Sequence, residues 1–64
     1  MRINGEEKKI NNSVVLSDLL EELGYDLERV AVEKNGEIVP RRLFPETTIV
    51  DTDKLEVVRF VGGG

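Results

Sequence analysis

Three consecutive glycines, Gly62, Gly63 and Gly64, close the sequence and place its most distinctive reactive group, a terminal carboxylate, at the end of a run without side chains. At an average glycine usage of about 7%, such a terminal run arises by chance in about three chains per ten thousand. Glycine has no Cβ, so its backbone passes closely beside a partner and adopts torsions that other residues avoid. The run is therefore read as a tail that threads a narrow channel in another protein and presents Gly64 for chemistry there, with Gly62 and Gly63 as the arm. The competing reading is a frayed terminus of no consequence.

Chemistry within the chain itself has little to work with. Cysteine and histidine are both absent, which removes the thiolate nucleophile, the imidazole base, the disulfide and the soft metal site. Asp51 and Asp53 flank a single threonine, a spacing that suits turn formation better than metal ligation. The Glu21-Glu22 pair reads as a solvated helix face, and Arg41-Arg42 as a solvated turn rather than a phosphate site. With 13 acidic against 9 basic residues the net charge is −4 and the pI is near 4.7. A polyanion is repelled by such a chain, so nucleic-acid binding is not expected.

The segment that leads into the tail offers a second candidate. Alternation with period 2 from Lys54 to Val61 puts Leu55 and Val57 on one strand face and Glu56, Val58 and Phe60 on the other. If the first face is core, Val58 and Phe60 form an exposed apolar patch beside the tail, suited to partner docking. The alternative places Phe60 against Leu43 or Phe44 as satellite core.

These groups must be positioned by a small scaffold. A chain of 64 residues makes one domain, and one this size buries about 60% of the surface its unfolded chain exposes, too little for a core and a deep pocket together. Hydrophobic residues at 39% and charged residues at 34% match a soluble globular chain. No apolar run approaches bilayer-spanning length, and Met1-Arg2-Ile3-Asn4-Gly5 lacks the apolar region of a signal peptide. A cytoplasmic location without membrane contact is the expectation. Residues 1–61 are expected to form the domain, and 62–64 a flexible C-terminal tail.

Met1 and Ile3 alternate with Arg2 and Asn4 as a half-buried strand, and Asn4-Gly5 is a hairpin signal. Glu6 to Ile10 reads as a polar return strand with Lys8 and Ile10 inward, and Asn11-Asn12-Ser13 as a loop. Leu16, Leu19, Leu20 and Leu23 follow the i, i+3, i+4, i+7 spacing of one helix face. Ser17, Asp18, Glu21 and Glu22 occupy the other side, and Gly24 supplies a left-handed stop. Val30 and Val32 mark the next strand, Asn35-Gly36 a second hairpin, and Glu37-Ile38-Val39 its return, stopped by Pro40. Arg41 to Thr48 reads as an irregular turn, Ile49-Val50 as a short apolar piece, and Lys54 to Val61 as the strongest strand.

The order β-β-α-β-β-β predicts an α+β fold of the β-grasp, ubiquitin-like type. A mixed sheet of four to five strands carries one main helix on one face, its leucines meeting Ile3, Val32, Leu55 and Val57. The first and last strands lie parallel at the centre, which the long connection between them permits.

The ending Val57-Val58-Arg59-Phe60-Val61-Gly62-Gly63-Gly64 resembles that of the ThiS family of sulfur carriers. So do Met1-Arg2-Ile3-Asn4-Gly5-Glu6, the helix from Leu16 to Leu23, and the segment from Val30 to Arg41. The terminal Gly-Gly is shared with MoaD and ubiquitin-like proteins, whereas the length and the central segment are closer to ThiS. The resemblance implies a carrier for thiamin thiazole biosynthesis rather than an enzyme. A ThiF-type adenylating enzyme would use ATP and magnesium to activate Gly64, while this chain binds no cofactor of its own. A sulfur donor protein would convert the acyl-adenylate to a thiocarboxylate, and a ThiG-type thiazole synthase would receive the sulfur. A MoaD-like carrier for molybdopterin synthesis, a ubiquitin-like modifier and an inert β-grasp interaction module are the alternatives.

Overall fold

Two asparagine-glycine turns organise the sheet. In the computed structural model, which describes residues 1–60, Asn4 and Gly5 have φ of 50° and 83°, and Asn35 and Gly36 have 52° and 88°. Both pairs are left-handed, the backbone that matches hairpin turns to strand twist. The first turn joins β1 (Arg2–Ile3) to β2 (Glu6–Glu7), and the second joins β4 (Val30–Lys34) to β5 (Glu37–Val39). Each asparagine also uses its side chain on the last strand, β7 (Lys54–Arg59). The Asn4 amide exchanges two hydrogen bonds with Val57, donating to its carbonyl (3.2 Å) and accepting from its N–H (2.7 Å). Asn35 accepts from the Lys54 N–H (3.0 Å).

The main sheet has the order β2-β1-β7-β4-β5. β1 and β7 are parallel, with Ile3 opposite Leu55, and all other pairs are antiparallel. β7 therefore lies at the centre, as the long β1-to-β7 connection allows. The helix α1 (Leu16–Glu22) buries Leu16, Leu19 and Leu20, in one core with Ile3, Val32, Leu55 and Val57. Leu23 is half-buried at the helix end. Seven residues are too few for a stable isolated helix, so this packing supplies its stability. Gly24, at φ 87°, closes the helix: its N–H bonds the Glu21 carbonyl (3.0 Å) and the Tyr25 N–H bonds that of Leu20 (2.9 Å), a Schellman arrangement.

The α+β, β-grasp architecture is thus as expected, but three segments differ from the sequence reading. The strand expected from Glu6 to Ile10 stops at Glu7. Lys8 is exposed rather than inward, its N–H reaching the Met1 carbonyl (2.8 Å), and the pairing goes no further because its partner β1 has only Met1 left to offer. Val14–Val15 form an additional strand, β3, paired antiparallel with β6 (Thr48–Ile49) as a separate two-stranded sheet. β3 leads directly into α1, so the Leu16 N–H bonds the Thr47 carbonyl (2.8 Å) and no side chain caps the helix. Finally, Arg41–Glu46 is a 3₁₀ helix, and Phe44 within it is 2% exposed. A shorter 3₁₀ turn, Leu27–Arg29, precedes β4. Among the described residues no helix is long and apolar enough to cross a membrane.

Asp51 and Asp53 form part of this framework. The N-terminal ammonium (2.8 Å) and the Ile10 N–H (3.1 Å) both donate to Asp51 Oδ1. Asp53 is buried and accepts from the Val50 N–H (2.8 Å) and the Asn35 amide (2.9 Å). The hydrogen bond from the ammonium, with that from Ile10, holds the Asp51 carboxyl below its ordinary value. For Asp53, burial pushes the carboxyl up, but the Val50 N–H, the Asn35 amide and the charges of Lys34 and the N-terminus outweigh it, and the net shift is downward. A carboxyl whose folded pKa is depressed stabilises the fold above its unfolded pKa, and this is lost as pH falls through the folded value. The urea midpoint is therefore expected to be flat near neutrality and to drop below about pH 4. Asp53→Asn should start from a lower midpoint and lose less of it over the same acid range. An equal acid slope in both proteins would show that Asp53 is not a source of the pH dependence.

Candidate functional site

Strand β7 delivers the candidate site to one end of the sheet. Its alternation is realised: Leu55 and Val57 are buried, whereas Glu56 and Val58 are exposed. Beyond Arg59 the ladder continues by one bond, from the Phe60 N–H to the Arg29 carbonyl (2.8 Å). Val58 is 58% and Phe60 53% exposed. Phe44, one of the two residues weighed as a core partner for Phe60, belongs instead to the main core under α1. Val61 and the sequence-predicted arm and acceptor, Gly62, Gly63 and Gly64, lie outside the described residues.

The sheet register adds a third apolar residue that the sequence reading did not single out. Val58 is paired with Ala31, and Glu33 lies between Glu56 on one side and Ile38 on the other. Directly paired residues share a face, so Ile38, 67% exposed, lies on the same outer face as Val58, diagonal to Ala31. Its signal was present in the hairpin: with Val30 and Val32 inward and Asn35-Gly36 as the turn, Ile38 pairs with Glu33 and points outward. The result is an apolar strip on the solvent side of the sheet, edged by Glu33 and Glu56.

Among the described residues no group of three or more acidic or metal-binding side chains could hold a metal ion. Asp51 and Asp53 are occupied by the N-terminus, backbone N–H groups and Asn35, as described above. What this end of the described chain offers is an exposed apolar strip of Val58, Phe60 and Ile38.

Comparison with known proteins agrees with this geometry. Residues 1–64 match the model of the ThiS family. The chain is 34% identical to the sulfur carrier protein ThiS of Bacillus subtilis over 65 aligned positions, covering 100% of this chain and 98% of that protein. It is 50% identical over 62 residues to a thiazole synthase of Paramagnetospirillum magneticum, covering 97% of this chain but spanning only 19% of that longer protein. The crystal structure of the thiamine biosynthesis protein ThiS from Geobacter metallireducens superposes with a TM-score of 0.81 at 36% identity, over 98% of this chain and 96% of that one. With sequence matched from end to end and the same β-grasp sheet and helix, the chain belongs to the ThiS family.

Proposed function

We propose that this chain is a sulfur carrier for thiazole formation in thiamin biosynthesis, with the Gly64 carboxylate as the acceptor. The observation that carries this reading is the run from β7 onward: exposed Val58 and Phe60 followed at once by Val61 and three glycines. A carboxylate is a poor electrophile. In the proposed cycle its oxygen attacks the α-phosphorus of ATP on a ThiF-type enzyme, with magnesium, and pyrophosphate leaves. A persulfide on a donor protein then attacks the acyl-adenylate and AMP leaves. A thiol then attacks the donor-side sulfur of the resulting acyl disulfide, forming a disulfide with the donor and expelling the thiocarboxylate on Gly64. The absence of cysteine assigns both sulfur atoms of that acyl disulfide to partners, so the chain is a carrier and not the catalyst. A relative named thiazole synthase that contains a sequence of this kind supports a ThiG-type synthase as the receiving partner.

Intact-mass measurement after incubation with a ThiF-type enzyme, ATP and a sulfur donor tests this. The mass is expected to rise by the difference between sulfur and oxygen, and a chain ending at Gly63 should show reduced modification with unchanged folding. An unaltered mass in the presence of demonstrably active partners would remove the carrier chemistry.

Docking makes a separate expectation. Phe60→Asp places a charge on the exposed strip without touching the core formed by Leu55 and Val57. Loss of an aromatic anchor costs about 2 kcal/mol or more of binding, about a thirtyfold fall in affinity for the adenylating partner. Calorimetric titration with that partner, alongside a urea melt, separates the outcomes. Unfolding of the variant with no specific affinity loss would mean that Phe60 serves the fold.

A further inference from the structure

The end of the sheet from which the tail departs is basic, although the chain as a whole is acidic. Arg59 alternates with Leu55 and Val57 on β7 and so faces the core side, yet it is exposed. Its guanidinium lies 4.7 Å from the centroid of the Tyr25 ring, just past the end of α1. Arg29, whose carbonyl holds Phe60, keeps its own guanidinium 3.6 Å from Asp26. Arg41 donates Nε–H to the Leu27 carbonyl (2.9 Å), tying it to the same 27–29 turn. These three arginines stand against two acids at that turn, Asp26 and Glu28, in a chain with 13 acidic against 9 basic residues. Arg29, Arg59 and Phe60 wall one cleft of about 160 Å³ that Asp26, engaged with Arg29, also lines. Among the described residues, Arg59 has no carboxylate partner.

We infer that this arginine collar, with Arg59 at its centre, docks carboxylates on the surface of the adenylating partner beside the channel that receives the tail. The inference rests on the proposed carrier function and specifies how the partner recognises the chain. A guanidinium stacked on an aromatic ring is held in one orientation while its planar fork of donors stays open to a carboxylate. Bidentate pairing of this kind fixes register as well as adding attraction. Arg59 stands five positions before Gly64, so pairing there sets where the tail begins its path. An apolar strip with a charged border is the anatomy of a protein interface, and the net charge of −4 disfavours a polyphosphate or nucleic acid as the occupant. The remaining acidic surface is then repelled by the same partner, which orients the encounter.

ATP–pyrophosphate exchange by a ThiF-type enzyme, followed as a function of carrier concentration and salt, reads this directly. Arg59→Glu is expected to raise the KM for the carrier tenfold or more with little change in kcat. Arg59→Lys should fall between the two, because it keeps the charge and loses the fork. Added salt should raise the native KM and affect Arg59→Glu far less. Lys9→Glu, the same charge change on an exposed residue away from the collar, is the control and should stay within twofold of native. An unchanged KM for Arg59→Glu overturns the inference, and so does a loss no larger than that of Lys9→Glu. A change confined to the KM for ATP would also overturn it, by assigning the collar to the nucleotide. If Arg59→Glu melts early, Arg59→Gln replaces it and is expected to raise the KM severalfold; a native KM in that variant is equally fatal. Failure of the native chain to drive any exchange strikes the carrier function itself and the inference with it, a result distinct from all the others.

Discussion

Gly63→Val is expected to leave the fold intact and to slow adenylation of Gly64 by about a hundredfold, the penalty typical of misplacing a reacting group by an ångström. Gly63 is expected to lie in a tail outside the domain, beyond the core whose last described member is Val57. Glycine has no side chain for the change to delete, and substitutions outside a core usually shift stability by within about 0.5 kcal/mol. In the proposed function the partner's channel is the sensitive element. A branched Cβ one residue from the reacting carboxylate widens the backbone and penalises positive φ. Thermal unfolding followed by circular dichroism should match the native protein, while ATP–pyrophosphate exchange collapses. Equal exchange rates would show that the glycines are not threaded, and the inert interaction module would become the better account of the chain.

Phe44→Ala should have the opposite signature, severe loss of stability caused by a change far from the glycines in sequence. Phe44 is 2% exposed and among the largest fully buried side chains. Truncating such a residue costs about 3–5 kcal/mol through lost transfer free energy and the cavity left behind. Native stability runs at about 0.05–0.15 kcal/mol per residue. For a 64-residue chain the loss is thus a large part of the total, and the variant should be substantially unfolded at room temperature. Phe44→Leu, which keeps most of the volume, should remain folded with a reduced urea midpoint. A native midpoint for Phe44→Ala would mean that the 3₁₀ helix Arg41–Glu46 is not anchored in the core.

Phe44 also marks a boundary in what the amino-acid order reveals. The leucine spacing that makes α1, and the Asn4-Gly5 and Asn35-Gly36 turns, were legible because each is a local property. Helical periodicity repeats within eight residues, and left-handed torsions select asparagine and glycine wherever they occur. The long separation of the first and last strands similarly permitted their parallel pairing, and the alternation along β7 assigned Val58 outward without reference to any partner strand. The two-residue strands β2, β3 and β6 could not be bounded this way, since two residues define no period and their extent depends on the neighbour that pairs with them. Phe44 sits in a segment with neither helical nor alternating pattern, and only the closing of that segment over α1 buries it. Asp53 looked like a turn residue, and its burial follows from Asn35 arriving across the fold to satisfy it. The exposed strip gained Ile38 through cross-strand register, and the arginine collar assembled from positions 29, 41 and 59 because β7 ends against the turn that follows α1. Each of these depends on contacts between residues distant in the chain, a relation that spacing along the sequence does not encode and three-dimensional packing supplies.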